Sequence, residues 1–252
     1  MRYLTGLFVL ILGLVFGWAG PVLAGDSARL HVIGFSAGGQ LFAFEEYGVQ
    51  DGSGFPYSSI YVVDLAGDDW LPGTPIRVLL DDEAAQGDEV ASVLSARQQA
   101  LSEAASLLDD RNFTNPGHRL ASQPIGEVDG DPYTLAFGLA NYNPLDPPLR
   151  RFDLRMTVYD QPASSSCANV TGPSEKALAL EIMDLETDAI RKLYQDSKVP
   201  KSRNCPLDYR LSEIWVPERL PDPDQAVVLV SVFSYGFEGP DQRFIAIPFK
   251  LP

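Results

Sequence analysis

The strongest constraint on the fold is a long series of short apolar segments, rich in β-branched and aromatic residues, separated by glycine and proline. The chain of 252 residues contains 21 glycines and 20 prolines. Such segments predict β-strands that are connected by tight turns. The predicted strands cover residues 30–35, 41–47, 60–65, 75–80, 120–127, 133–137, 152–159, 178–185, 190–194, 209–216, 226–233 and 244–249. We therefore predict a mainly β fold of antiparallel hairpins in a propeller-like or sandwich arrangement, with one amphipathic helix.

The predicted helix covers residues 88–108, which contain neither glycine nor proline. Its apolar residues recur at helical spacing. They are Val90, Leu94, Leu101, Ala105 and Leu108. Residues 174–196 allow a helix or a hairpin, because Glu, Ala, Leu and Lys are abundant there. The alternation of Leu178, Leu180 and Ile182 with less apolar residues favours the hairpin.

The first residues have the composition of a secretory signal peptide. A positive residue precedes an apolar run over residues 7–16, a Gly-Pro pair then breaks any helix, and small residues precede a cut after Ala24. A retained membrane anchor is the alternative, but the apolar run is short for a full span. We predict a signal peptide at 1–24 and a single secreted β-rich domain at 25–252. Its location is secreted or periplasmic, with no stable membrane span after cleavage.

The chain contains two cysteines, Cys167 and Cys205. In an oxidising compartment, a lone pair of cysteines is most simply a disulfide. Neither has a second cysteine or a histidine at ligand spacing, which argues against a zinc site. We therefore predict a Cys167–Cys205 disulfide and no bound metal.

The charge balance excludes one class of partner. Acidic residues outnumber basic ones by 34 to 19, for a formal net charge of −15. A surface of this sign repels nucleic acid, and no basic patch with interleaved aromatic residues occurs in the sequence. The sequence also lacks a dinucleotide-binding glycine motif after a strand, a phosphate-binding loop and a haem motif. We expect neither a nucleic-acid partner nor a cofactor.

Residues 34–38, Gly-Phe-Ser-Ala-Gly, match the pattern of a nucleophile elbow with Ser36 as the nucleophile. The elbow needs a helix after the serine, an oxyanion loop before it, and an acid and a histidine later in the chain. Ser36 lies too near the predicted mature N-terminus for the earlier elements, and Phe- and Tyr-rich sequence follows Gly39. Neither His31 nor His118 has an evident partner for general-base work. We therefore favour a strand–turn–strand and predict no catalytic residues.

Two turn-rich segments carry the candidate binding residues. Glycines and prolines occur in both, next to aromatic and acidic side chains. Binding groups concentrate on such loops. The candidates are Asp51, Phe55, Tyr57, Phe237, Glu238 and Asp241.

Adjacent acidic residues raise the question of a catalytic carboxylate pair. Glu45 and Glu46 lie on a predicted strand, where successive side chains point to opposite faces, so they cannot act together. The missing catalytic constellation favours a non-catalytic binding or interaction module of the cell envelope, with an envelope protein or a glycan as partner. The alternative is a hydrolase that acts on envelope polymers through carboxylates brought together by the fold.

Two resemblances add to this interpretation. Residues 34–44 and 60–64, Gly-Phe-Ser-x-x-Gly-x-x-Phe-Ala-Phe and Ile-Tyr-Val-Val-Asp, resemble a single repeat of TolB-type β-propellers, with Gly38 where that repeat usually has Asp. Four further segments resemble a family of predicted secreted bacterial proteins of unknown function. They are Phe-Ala-Phe-Glu-Glu-Tyr-Gly at 42–48, Asp-Gly-Ser-Gly-Phe-Pro-Tyr at 51–57, Ser-Arg-Asn-Cys-Pro at 202–206 and Gly-Phe-Glu-Gly-Pro-Asp at 236–241. The family resemblance implies export and one architecture, and it supplies no catalytic residues.

Overall fold

The computed structural model describes residues 25–81, 88–127, 129–141, 143, 145–217 and 223–252. The predicted signal peptide lies outside these residues. The division of the chain into a signal peptide and one domain therefore stays a prediction.

The described strands form three antiparallel sheets. Sheet 1 has the order β1-β2-β3-β4, with β5 also paired to β3, and contains β1 (Arg29–Phe35), β2 (Leu41–Val49), β3 (Pro56–Asp64), β4 (Asp69–Trp70) and β5 (Ile76–Leu79). Sheet 2 has the order β13-β12-β11-β6 and contains β6 (His118–Ser122), β11 (Pro206–Val216), β12 (Gln225–Ser234) and β13 (Asp241–Lys250). Sheet 3 has the order β10-β9-β8-β7 and contains β7 (Thr134–Leu139), β8 (Arg150–Pro162), β9 (Ser174–Asp184) and β10 (Ile190–Gln195). The described residues also form two helices, α1 (Glu89–Asp110) and a short α2 (Ala168–Thr171), and one 3-10 turn (Lys201–Arg203).

The prediction of a mainly β fold with antiparallel hairpins is confirmed. Each predicted strand corresponds to a strand of the structure, and the hairpin interpretation of residues 174–196 holds, as β9 and β10 pair there. The sequence missed the two-residue β4, which lies inside a predicted turn, and the single turn of α2. The resemblance to a TolB-type propeller is not confirmed.

The sheets stack face to face, and β12 lies in the middle of the stack. Val228 and Val230 belong to the core between sheets 2 and 3. Val227 and Leu229 belong to the core between sheets 1 and 2. Because side chains alternate along a strand, this continuous apolar segment fills both cores at once.

Helix α1 covers the outer face of sheet 1, and its orientation differs from the sequence pattern. The prediction of a helix is confirmed, and the side chain of Asp88 accepts from the N–H of Val90 as its N-cap. The buried face, however, is the small-residue series Ser92, Ala96, Ala100 and Ala104. The alanines pack with Ile60 and Val78 of sheet 1. Of the apolar residues used to predict the helix, four are exposed and Leu108 is half-buried.

Candidate functional site

Two loops that are distant in sequence meet at one end of sheets 1 and 2. Loop A (residues 50–55) connects β2 to β3, and loop B (residues 235–240) connects β12 to β13. The backbone N–H of Glu238 donates to Oδ2 of Asp51 at 3.1 Å. The fold thus joins two segments that the sequence singled out separately.

The junction of the loops carries exposed aromatic side chains. Phe237 is 82% exposed and Tyr235 is 49% exposed. The Phe237 ring lies beside Gly52, where an added Cβ would be 3.4 Å from the ring and where φ is +80°. Phe55 is half-buried, and its carbonyl accepts from the N–H of Gln50 at 2.9 Å. Phe237 is therefore the candidate aromatic residue with the most surface available to a ligand.

Asp241 fixes the end of loop B. Its Oδ1 accepts from the backbone N–H of Asp26 at 3.2 Å. A Cβ on Gly236 would lie 2.5 Å from this oxygen and 2.3 Å from the carbonyl oxygen of Gly239, so the turn has room only for glycine. Burial raises the pKa of the Asp241 carboxyl above its ordinary value.

A cavity of about 390 Å³ lies between sheets 1 and 2, next to the two loops. We call it the inner cavity. Gln50 of loop A lines it, and so do Ser234 and Asp241, the residues directly before and after loop B. Its other walls combine aromatic rings with guanidinium groups, a mixture typical of sites for polar ligands. These residues are Tyr57, Tyr61, Trp70 and Phe244, with Arg77, Arg203 and Arg243.

Tyr57 belongs to the wall of this cavity and not to the exposed part of a loop. It lies in β3 and is 6% exposed. Its hydroxyl donates to Oδ1 of Asp26 at 3.0 Å, and Nη2 of Arg243 donates to Oδ2 of the same carboxylate at 2.5 Å. The Arg243 guanidinium also lies 4.9 Å from the centre of the Tyr57 ring. This network holds Arg243 against the cavity wall.

Glu46 projects from β2 into the same wall. Its Oε1 accepts from the Tyr61 hydroxyl at 2.7 Å, and its Oε2 accepts from the backbone N–H of Phe244 at 3.0 Å. Nε of Arg243 approaches only to 4.0 Å. Burial therefore outweighs these contacts and raises the pKa of Glu46.

Glu45 projects from the opposite face of β2, as predicted for adjacent residues on a strand. Nε and Nη2 of Arg97 in α1 donate to its two carboxylate oxygens at 2.9 and 2.8 Å. Ser58 donates at 2.9 Å, and Nδ1 of the half-exposed His31 lies at 3.3 Å. Burial alone would raise the pKa of Glu45, but the contacts with His31, Arg97 and Ser58 lower it to about 2. His31 thus belongs to an ion-pair cluster between sheet 1 and the helix.

Ser36 does not form a nucleophile elbow. A strand, β2, follows it where the elbow would need a helix. Its Oγ accepts from the N–H of Leu41 at 3.1 Å, and its own N–H donates to the Leu41 carbonyl at 3.0 Å. Ser36 is 6% exposed and closes the turn between β1 and β2. The strand–turn–strand interpretation is confirmed.

The predicted disulfide joins Cys167 and Cys205. Two residues before Cys205, Arg203 enters a buried cluster that the sequence did not reveal. Its Nη1 donates to Oδ2 of Asp196 at 2.6 Å and to the Tyr209 hydroxyl at 3.2 Å. Arg203 also lines the inner cavity, so the disulfide is close in sequence to one of its walls.

A wider and more open cleft, of about 1230 Å³, lies beside the turn between β1 and β2. Pro217 and Pro223 line it and flank residues 218–222, which lie outside the described part of the chain. The inner cavity is the better-defined site, because described residues form its walls and the candidate loops border it.

The described residues contain neither a metal-binding cluster nor a helix suited to cross a membrane. Within them, no group of three or more His, Cys, Asp or Glu side chains is arranged to hold a metal ion. In the same part of the chain, none of the helices has the length and apolar character needed to cross a membrane.

Comparison with known proteins gives one match. The sequence profile of a family described as "Predicted secreted protein (DUF2259)" matches residues 43–250. No curated protein matches, and no solved structure matches. The profile includes all of loop A, all of loop B and nearly all of the described strands.

Proposed function

We propose a glycan-binding role in the cell envelope for this chain, which belongs to the DUF2259 family of predicted secreted proteins. The protein is secreted or periplasmic. The assignment of residues 1–24 to a cleaved signal peptide is part of the proposal. The glycan would bind in the inner cavity and extend across loops A and B.

The observation that carries the proposal is the contact between the two loops. Asp51 and Glu238 are 187 positions apart in sequence, and their hydrogen bond joins loop B, which carries the exposed Phe237, to loop A, whose Gln50 lines the inner cavity. Sugar rings pack on aromatic faces through their C–H surfaces, while amide, hydroxyl and charged groups bind their hydroxyls. The cavity offers both, through rings such as Trp70 and polar groups such as Gln50.

Binding is tested on the oxidised protein, purified from the periplasm of a host that processes the full chain. Soluble peptidoglycan fragments and a neutral glucan of matched length are titrated in a calorimeter. We expect one of them to bind, and Phe237→Ala to weaken that binding by about tenfold, because truncating a central aromatic contact costs at least about 1 kcal/mol. Leu145→Ala is the matched control, since Leu145 is 91% exposed and does not line the cavity.

Two results of this titration would contradict a glycan site at loops A and B. Binding that Phe237→Ala leaves unchanged would move the site away from the loops. If the folded protein binds neither glycan but retains an envelope protein that Phe237→Ala releases, the partner is a protein and the glycan proposal fails.

A hydrolase acting on envelope polymers is the second candidate, and the carboxyl groups of the cavity favour it. Glu46 and Asp241 come from different strands, line the same cavity, and both have a raised pKa. A raised pKa suits a carboxyl that donates a proton to a leaving group. Release of reducing ends from either glycan, abolished by Glu46→Gln in a folded protein, would support hydrolysis over simple binding.

A further inference from the structure

A second cavity, of about 320 Å³, lies next to the inner cavity. We call it the adjoining cavity, and Asp68, Tyr194 and Ala246 are among its walls. Each of the two cavities is near the lower end of the range for small-ligand sites, roughly 300–1,000 Å³, so each has room for only a short piece of a polymer. The residues that line both cavities are Trp70, Ser202, Arg203 and Ile245.

Strand β13 runs along both cavities. Its residues 241 and 243–245 line the inner cavity, and its residues 245–247 line the adjoining cavity. From residue 241 to residue 247 the strand rises about 20 Å, at roughly 3.3 Å per residue. β13 is also an edge strand, since within sheet 2 it pairs only with β12. A ligand that contacts both cavities is therefore an extended one that follows this edge.

The backbone of Ala246 has a donor and an acceptor available at this edge. Along β13, alternate residues direct their N–H and C=O groups away from β12. Gln242 is one of them, because its N–H donates to the Asp26 carbonyl at 2.7 Å and its carbonyl accepts from Ala28 at 3.2 Å. Ala246 has the same orientation, and no described residue forms a hydrogen bond with its outward N–H or C=O. Such a pair needs water or a ligand as its partner.

Trp70 stands at the boundary between the two cavities. Its ring centre lies 5.5 Å from that of Tyr61 in an edge-to-face contact, and the Arg77 guanidinium lies 5.9 Å from the ring centre. These contacts hold a half-buried ring at the point where a ligand would pass from one cavity to the other. Because apolar faces of sugars pack on aromatic rings, Trp70 suits a glycan in either cavity.

We propose that the two cavities are successive subsites for an internal stretch of one linear glycan chain, which passes over Ala246. This inference rests on the proposed function and specifies its ligand as an unbranched chain of several sugars. A chain end is not required, because Asp68 and Tyr194 line both the adjoining cavity and the wider cleft of about 1230 Å³. The chain can therefore continue beyond the second subsite.

A peptide strand is the other extended ligand that a sheet edge can bind, but this edge suits it poorly. An added strand needs successive outward residues with available backbone groups. Here the N–H of Phe244 donates to Oε2 of Glu46 at 3.0 Å, that of Gln242 donates to Asp26, and Pro248 has none. Sugar hydroxyls both donate and accept, so a glycan can use the single pair at Ala246 without a repeating ladder.

The test uses the two glycans of the binding experiment, each as a disaccharide and as an eight-sugar chain. They are titrated into the oxidised, exported protein. For the glycan that binds, we expect the long chain to bind at least about tenfold more tightly than the disaccharide, because it occupies both subsites. Trp70→Ala should weaken the binding of both lengths by about tenfold, since Trp70 lines both cavities. Thermal unfolding verifies that the variant is folded.

Asp68 distinguishes the two subsites, because it lines the adjoining cavity and not the inner one. Asp68→Gly removes the carboxylate, and glycine readily keeps the φ of 50° at this position. We expect this variant to bind the long chain at least about fivefold more weakly, through the loss of a charged hydrogen bond, and to bind the disaccharide as before. Asp188→Gly is the matched control, since Asp188 has a φ of 57° and lines neither cavity.

The outcomes separate this inference from the proposed function. Equal affinity for both chain lengths would overturn the inference and leave glycan binding intact. A gain with length that Asp68→Gly leaves unchanged would also overturn it, because the chain would then extend away from the adjoining cavity. If the folded protein binds neither glycan at either length, the proposed function fails and the inference fails with it. Retention of an extended peptide that Trp70→Ala releases would then assign this edge to a polypeptide.

Discussion

Two adjacent glutamates on β2 face two different regions of the molecule. Glu45 lies between sheet 1 and α1, and Glu46 lies in the wall of the inner cavity between sheets 1 and 2. Both are buried, with 0% and 3% of their side chains exposed. The pKa of Glu45 falls to about 2, whereas the pKa of Glu46 rises. Burial on its own therefore does not decide the charge state of a carboxyl group.

The difference comes from the cations around each carboxylate. Arg97 donates to both oxygens of Glu45. Among the described ion pairs, Arg97 pairs with no other carboxylate. Arg243 lies 4.0 Å from Glu46 and binds Asp26 more closely, at 2.5 Å. The region between sheet 1 and α1, which we call the outer region, thus contains a buried carboxylate paired directly with a guanidinium. The wall of the inner cavity, which we call the inner region, contains a buried carboxyl group without such a close cation. Incomplete pairing of this kind is more common at functional sites.

The largest effect should come from the disulfide, whose Cys205 is two residues from Arg203 in the wall of the inner cavity. It closes a loop with a sequence separation of 38 residues. Replacing both cysteines by serine should lower the free energy of unfolding by about 4 kcal/mol in urea titrations, because the unfolded chain gains conformational freedom. The Glu45–Arg97 pair is on the other side of sheet 1, so the pKa of Glu45 should not change. A loss below about 1 kcal/mol would contradict the chain-entropy argument.

Breaking the outer ion pair should have the next largest effect. Arg97→Met leaves the Glu45 carboxylate buried without its guanidinium, and we expect a loss of about 3 kcal/mol in the free energy of unfolding at pH 7. Arg155→Met is the control, because Arg155 pairs with Asp153 at the surface at 3.4 Å and should lose less than about 1 kcal/mol. Equal losses in the two variants would show that the outer region is not a buried structural pair.

The pH dependence of stability should separate the two glutamates. Glu45 has a folded pKa of about 2, below its ordinary value of 4.5, so its stabilisation is present above pH 4.5 and is lost as the pH falls through 2. The loss should amount to at most about 3 kcal/mol. Glu45→Gln should therefore show a shallower decline in stability between pH 4.5 and 2 than the wild type. An unchanged acid slope would contradict the assignment.

Glu46→Gln should have the smallest effect, with the opposite pH dependence. The pKa of Glu46 in the folded protein is above 4.5. The stabilisation that its protonated side chain provides is therefore fully present below pH 4.5 and is lost as the pH rises through the pKa of the folded state. Glutamine has no charge to bury, so the variant should lack this loss and remain within about 1 kcal/mol of the wild type at pH 7. Thermal unfolding from pH 4 to 8 checks this, and a loss comparable to that of Arg97→Met would remove the contrast between the two regions.

Local pattern in the sequence predicted much of the fold and part of this contrast. Strand segments such as 226–233 were recognisable because apolar side chains on both faces are typical of a central strand. The opposite orientation of Glu45 and Glu46 follows from the two-residue period of a strand. The hairpin at Ser36 was predictable because elements that an elbow needs were missing from the sequence.

Other features depend on contacts between distant residues or on packing distance. Asp26 and Arg243 are 217 positions apart, and no local pattern connects them. The spacing of apolar residues predicted the helix α1 but not which of its faces packs on sheet 1. Both the alanine series and the larger apolar residues could form that face, and in the structure the alanines pack on Ile60 and Val78. Larger side chains such as Leu94 would hold the helix farther from the sheet, and Arg97 would then lie farther from Glu45.

The most direct test is an NMR titration of the side-chain carboxyl carbons of Glu45 and Glu46, assigned by the signals missing from Glu45→Gln and Glu46→Gln. We predict that Glu45 titrates at a pH of about 2 and that Glu46 titrates above 4.5, the ordinary value for glutamate. Titration of both carboxyls together near 4.5 would show that the two faces of β2 do not differ, and the distinction between a structural outer region and a binding inner region would fail.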